Sequence, residues 1–138
     1  MENLKTADST YLLEEGLEML HQESHNWISE MELWKIELDF FQKLLDTHSY
    51  KLNTTDEKKE MDHFQNLIIY YNGELIDSIK KKAKKHNKTL ATDLENPVQL
   101  NEAQYIDEHR SIAAEIDALR MQFHEYKKEF FEFIGPVI

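Results

Sequence analysis

Residues 13–48, LEEGLEMLHQESHNWISEMELWKIELDFFQKLLDTH, decide the fold. Stepping alternately by four and three residues from Leu13 gives Leu17, Leu20, Ser24, Trp27, Met31, Trp34, Leu38, Phe41, Leu45 and His48. Eleven seam positions run without interruption, and nine are apolar. A repeat every 3.5 residues keeps one stripe of a helix facing a partner along its whole length. Such a helix spans about 55–60 Å at 1.5 Å per residue. It cannot hide its stripe alone, so the rest of the chain must supply its partners.

Downstream, Thr54-Thr55-Asp56-Glu57 has the spacing of a capping box, in which hydroxyl and carboxylate each satisfy a free backbone N–H. A second seam follows through Met61, Phe64, Ile68, Tyr71, Leu75 and Ile79, widened by Leu67, Ile69, Ile76 and Ala83. The lysine-rich run 80–88 suits a helix C-terminus, with Asn87 as a left-handed cap. Leu90 and Leu94 continue the spacing, so the helix either ends near His86 or reaches Glu95 with a break near Asn87. Asn96-Pro97, with Gln99, is the clearest helix start. The third seam runs Val98, Glu102, Tyr105, His109, Ile112, Ile116, Leu119, Phe123, Tyr126, Phe130, Phe133, and Gly135-Pro136 stops it. Upstream, residues 1–8 read as a polar lead-in, with Asp8, Ser9 and Thr10 as N-cap candidates.

The expected fold is therefore all-α: an elongated up-down-up antiparallel three-helix bundle with coiled-coil-like seams, with helices over about 10–49, 55–86 (extendable to 95) and 97–134. Its 138 residues make one domain. Three glycines and two prolines agree with few turns and long elements.

Composition narrows the function. A net charge of −11 repels phosphates and argues against nucleic-acid binding. No apolar run is long enough to span a membrane, and the N-terminus lacks the pattern of a secretory signal. With no cysteine there is neither a thiol nucleophile nor a thiolate metal site. The default location is a reducing cytoplasm.

Placing turns near residues 52 and 96 lets heights along the bundle be compared. The two Glu-x-x-His tetrads, Glu18 to His21 and Glu60 to His63, then lie on the order of 30 Å apart, too far to share a di-iron pair. His21, His25, His86 and His109 fall within about a turn of one another. The i, i+4 spacing of His21 and His25 lets two imidazoles share one Zn²⁺ or Cu²⁺. These four are the candidate metal ligands, and a buried His109 would also make the bundle pH-sensitive. The plainer alternative places His21 and His25 on a solvated flank, His109 in the core and His86 at a helix end. Lysines 80–88 are set against glutamates of the flanking helices, which favours alignment over anion binding. Glu37, near Glu30 and His124, reads as a seam-edge pairing. No phosphate loop or Gly-x-Ser-x-Gly elbow occurs, and the six serines show no convincing catalytic arrangement.

The stretch His25-Asn26-Trp27 to Phe41, followed by Asp62-His63-Phe64-Gln65-Asn66, resembles short uncharacterised helical-bundle proteins of Bacteroidetes. The resemblance implies a compact antiparallel bundle in the cytoplasm and carries over no functional residue. The expected function is a non-enzymatic scaffold or interaction module, acting on a protein partner or by self-association, with Ile69, Tyr70 and Phe131 as candidate surface positions. The competing expectation is a bundle that uses the histidine cluster to bind a transition metal (Zn, Cu or Fe) or to respond to pH.

Overall fold

The computed structural model describes residues 2–95 and 101–138, with side chains described for 16–92 and 101–138. Helix α1 spans Glu2–His48 and passes through a 3₁₀ turn, Ser49–Lys51. A second rod follows in three pieces: α2, Thr55–Tyr70; a π turn, Tyr71–Leu75; and α3, Ile76–Glu95. Helix α4 is Glu102–Ile134, closed by a 3₁₀ turn at Gly135–Val137. Three long rods pack together, with no strand among the described residues.

Local chemistry explains the ends. Thr54 forms the full capping box: its hydroxyl accepts from Glu57 N at 3.1 Å, and its own N–H donates to Glu57 Oε1 at 3.2 Å. The Asn101 carbonyl oxygen accepts from Gln104 N at 3.0 Å and caps α4. The start expected at Asn96-Pro97 lies outside the described residues. There is no break near Asn87, since α3 runs unbroken to Glu95.

Polar pairs fix the directions. Between α1 and the second rod, Asn72 donates to Asp39, 33 positions away, and Lys35 meets Asp77, 42 away. Separation grows away from the turn, so these rods are antiparallel. Glu30 with Arg120 and Glu37 with Lys127 are both 90 positions apart, so α1 and α4 run parallel. The order is up-down-up.

The core fills the space between the seams. Trp27, Trp34, Phe41, Phe64, Tyr71, Phe123 and Phe130 are all buried. Each contributes about 1.5–3 kcal/mol or more by the area it removes from water. In the second rod the seam changes phase. It reads Phe64, Ile68, Tyr71 and would continue to Leu75, but the buried residue is Ile76, followed by Ile79, Ala83, His86 and Leu90. The π turn supplies one extra residue and rotates everything after it by about a hundred degrees. Without that step Lys82 and Lys85 would face the core, where a charge is costly. With it they point outward and His86 points in.

Candidate functional site: a buried histidine pair

The phase change in α3 carries His86 inward, and the third seam carries His109 to meet it. His86 is completely buried and His109 nearly so. Nε2 of His86 lies 3.2 Å from Nδ1 of His109, and Nε2 of His109 lies 3.2 Å from Glu23 Oε1. A carboxylate only accepts. His109 therefore donates through Nε2. With that ring neutral, its Nδ1 accepts from His86 Nε2, and a hydrogen-bond chain runs His86, His109, Glu23.

Aromatic rings wall the pair on both sides. Tyr105 stacks on His86, with centroids 4.1 Å apart and planes 9° from parallel. Trp27 lies over His109 at 4.5 Å. Ser24, fully buried, donates to the Leu20 carbonyl at 3.0 Å and places its oxygen 3.4 Å from His109 Nδ1. Seam position 24 is small, which leaves room for the imidazole. His86 Nδ1 and the Tyr105 hydroxyl are buried without a hydrogen-bond partner among the described residues. Glu108 Oε2 sits 3.7 Å from that nitrogen, beyond hydrogen-bond reach.

Burial holds the His86 pKa below the ordinary histidine value; nearby Glu108 opposes the shift and His109 adds to it. The same desolvation pushes the Tyr105 phenol up to about 12. Burial thus favours the neutral imidazole at His86.

The other two candidates form a separate pair. His21 and His25 approach Nε2 to Nε2 at 3.2 Å, rings edge to face, with His25 exposed. Burial first, and His25 second, lower the His21 pKa. The four histidines meet in two contacts, His86 with His109 and His21 with His25, with half-buried His21 still within electrostatic reach of His86. Among the described residues no three His, Asp or Glu side chains converge on a point that could hold a metal ion. Ser24, His109 and Glu23 resemble a nucleophile, base and orienter in connectivity alone. The hydroxyl is fully buried in helix α1, already bonded to the Leu20 carbonyl, with no substrate access.

The other polar candidates serve the fold. Arg120 clasps Glu30 in a bidentate pair at 2.6 and 2.9 Å, and Lys127 takes Glu37 at 3.2 Å. From the lysine run, Lys80 pairs with Glu32 and Lys82 with Glu115, each further along the bundle than the height comparison placed them. Glu23 and Glu108, which the sequence sets among the glutamates facing the lysine run, lie instead at His109 and His86; each precedes a seam residue by one position, the placement that lets a carboxylate reach the edge of a core group. No family model matches the chain, and neither the curated proteins nor the solved structures provide a match to it.

Proposed function

We propose that the protein is a non-enzymatic helical-bundle interaction module. One observation carries this reading: the outward face of α1 presents Leu33, Ile36 and Phe40, which are 55%, 65% and 53% exposed. They are spaced by three and four residues, on the side of α1 opposite Trp27, Met31, Trp34 and Leu38. The internal core has no use for this stripe, and an exposed apolar stripe at helical spacing suits a partner helix. The surface candidates Ile69, Tyr70 and Phe131 are also exposed but scattered. Phe131 leans edge-on against Phe41 at 5.3 Å, and Tyr70 lines the opposite groove.

The test is a Leu33→Glu/Phe40→Glu double variant that keeps its helical circular dichroism. Sedimentation velocity over a dilution series and cross-linking in the source cell compare it with wild type. Loss of a self-associated species or of a cross-linked protein supports the module. Unchanged oligomeric state and unchanged cross-links would remove it.

A second reading, a pH-responsive bundle, draws support from the buried His86–His109 contact. Protonating an imidazole enclosed by Tyr105 and Trp27 weakens the packing of that layer, so acid would loosen one end of the bundle.

A further inference from the structure

The groove between the second rod and α4 has a construction that the packing of three helices does not require. Large rings stand between the two rods: Phe64 meets Tyr126 and Phe130 at 5.6 Å, and Tyr71 meets Tyr126 at 5.7 Å. The backbone of α4 consequently packs more closely on α3 and α1 than on α2. The space left outside the rings is a line of three open depressions. The first, about 470 Å³, lies between Glu60, His63 and Phe64 on α2 and Glu129, Glu132 and Phe133 on α4. The second, about 370 Å³, has Leu67, Tyr71 and Tyr126 as its floor and shares Glu129 with the first. The third, about 270 Å³, runs past Leu75 and Ile79 and shares Gln122 with the second. Shared walls make them one trough. From Glu60 to Ile79 it is about 28 Å long, the length of a helix of roughly nineteen residues.

Floor and rim differ in chemistry. The floor is aromatic and aliphatic, and Met121, 75% exposed on its edge, is an adaptable contact for a helix of unspecified shape. The π turn contributes as well: by taking Leu75 out of the core seam it leaves that side chain on the trough wall. The rim carries Glu60, Glu125, Glu129 and Glu132, none of them in an ion pair among the described residues. Lys82, at the far end, is matched by Glu115 at 2.9 Å.

We propose that this trough docks a basic amphipathic helix of a partner protein, apolar face on the rings and lysines or arginines on the four rim glutamates. The proposal rests on the interaction-module reading and names a partner chemistry for a second face. A second copy of this chain is a poor occupant of this trough, since a chain of net charge −11 has few cations to offer four unpaired rim glutamates.

The probe is a labelled synthetic helix of about nineteen residues, leucine at positions i, i+3, i+4 and i+7 and lysine elsewhere. A peptide of the same composition with the spacing scrambled is its control. Fluorescence anisotropy at physiological salt gives affinity, and amide chemical shifts give the location. The expected result is one-to-one binding with shifts at Leu67, Met121 and Glu125. The scrambled peptide and the Glu125→Lys/Glu129→Lys variant should each bind at least about tenfold more weakly. Equal binding of both peptides, shifts on another face, or an unweakened charge-reversal variant overturns the docking site. Those outcomes leave the module reading standing, because it is judged on Leu33 and Phe40, which lie outside the trough.

Discussion

Tyr105 lies flat on His86, ring over ring at 4.1 Å, and among the described residues neither the phenol oxygen nor the outer imidazole nitrogen is hydrogen-bonded. The amide of Asn87, next to His86, and Nδ1 of His21 are likewise buried without a partner among the described residues. Such a layer tolerates neutral rings and resists a charge.

Acid should therefore destabilise the fold through His86. Its folded pKa lies below the unfolded value of 6.5, so the unfolded chain binds more protons as pH drops below about 6.5. Stability is intact above that pH and is lost as pH falls toward the folded pKa. His21 shifts the same way and adds to the trend. Urea midpoints measured at about pH 7.5 and 5.5 should separate more for wild type than for His86→Leu. Equal separation would clear His86 of the effect.

The flank pair has its own expected behaviour. Two imidazole nitrogens 3.2 Å apart on successive turns match two ligands of one metal ion. Cu²⁺ or Zn²⁺ should raise the thermal midpoint of wild type and of His86→Leu, because an ion that binds only the folded state stabilises it. His25→Gln should lose the response. Retention of the response in that variant would show that the ion binds elsewhere.

Core and rim substitutions should differ sharply in cost. Phe41, 1% exposed, touches the Phe123, Tyr126, Phe130 and Phe131 rings, so Phe41→Ala should cost about 3–5 kcal/mol in denaturant unfolding. Arg120→Met breaks the Glu30 pair but at a site 42% exposed, and should cost no more than about 1 kcal/mol.

Helix ends provide a third scale. Thr54→Ala removes the oxygen that accepts from Glu57 N and should cost about 0.5–2 kcal/mol. Gly16→Ala should move the other way, by up to about 1 kcal/mol, because a Cβ there meets nothing within 4 Å.

The π turn makes a sharper claim. It is one residue more than an α-helix needs between Tyr71 and Ile76, so deleting Gly73 should leave a continuous α-helix with the same buried seam. Circular dichroism and the unfolding midpoint should stay close to wild type. Inserting an alanine after Gly73 instead should turn Ala83 and Leu90 off the core and unfold that end.

Much of this was legible in the sequence wherever one residue type had one reason to be where it is. Alternating apolar spacing from Leu17 to Leu45 named the buried face of α1, and Thr54 with Glu57 named the start of α2. The second seam was legible except at Leu75: Ile79 was on it, and Ile76 and Ala83 beside it, and all three are buried. Nothing in Tyr71-Asn72-Gly73-Glu74-Leu75 announces the extra residue, except that a strict 3–4 rhythm without it would put lysines in the core. The four histidines were brought to one height, but height along a rod is not direction around it. His25 points to a flank, His86 and His109 point inward, and His21, half-buried, takes His25 as its partner, so the contacts fall in two pairs.

The histidine layer also divides the hydrophobic interior. Among the described residues, the aromatic cluster from Trp27 to Ile134 lies above it, and Leu17, Leu90 and Tyr105 pack below it. The molecule is in this sense two storeys on common pillars, with a proton-sensitive ceiling between them. Acid that enters at that level parts the storeys at their junction, so local loosening there, rather than collapse of the whole, is the first failure this architecture permits.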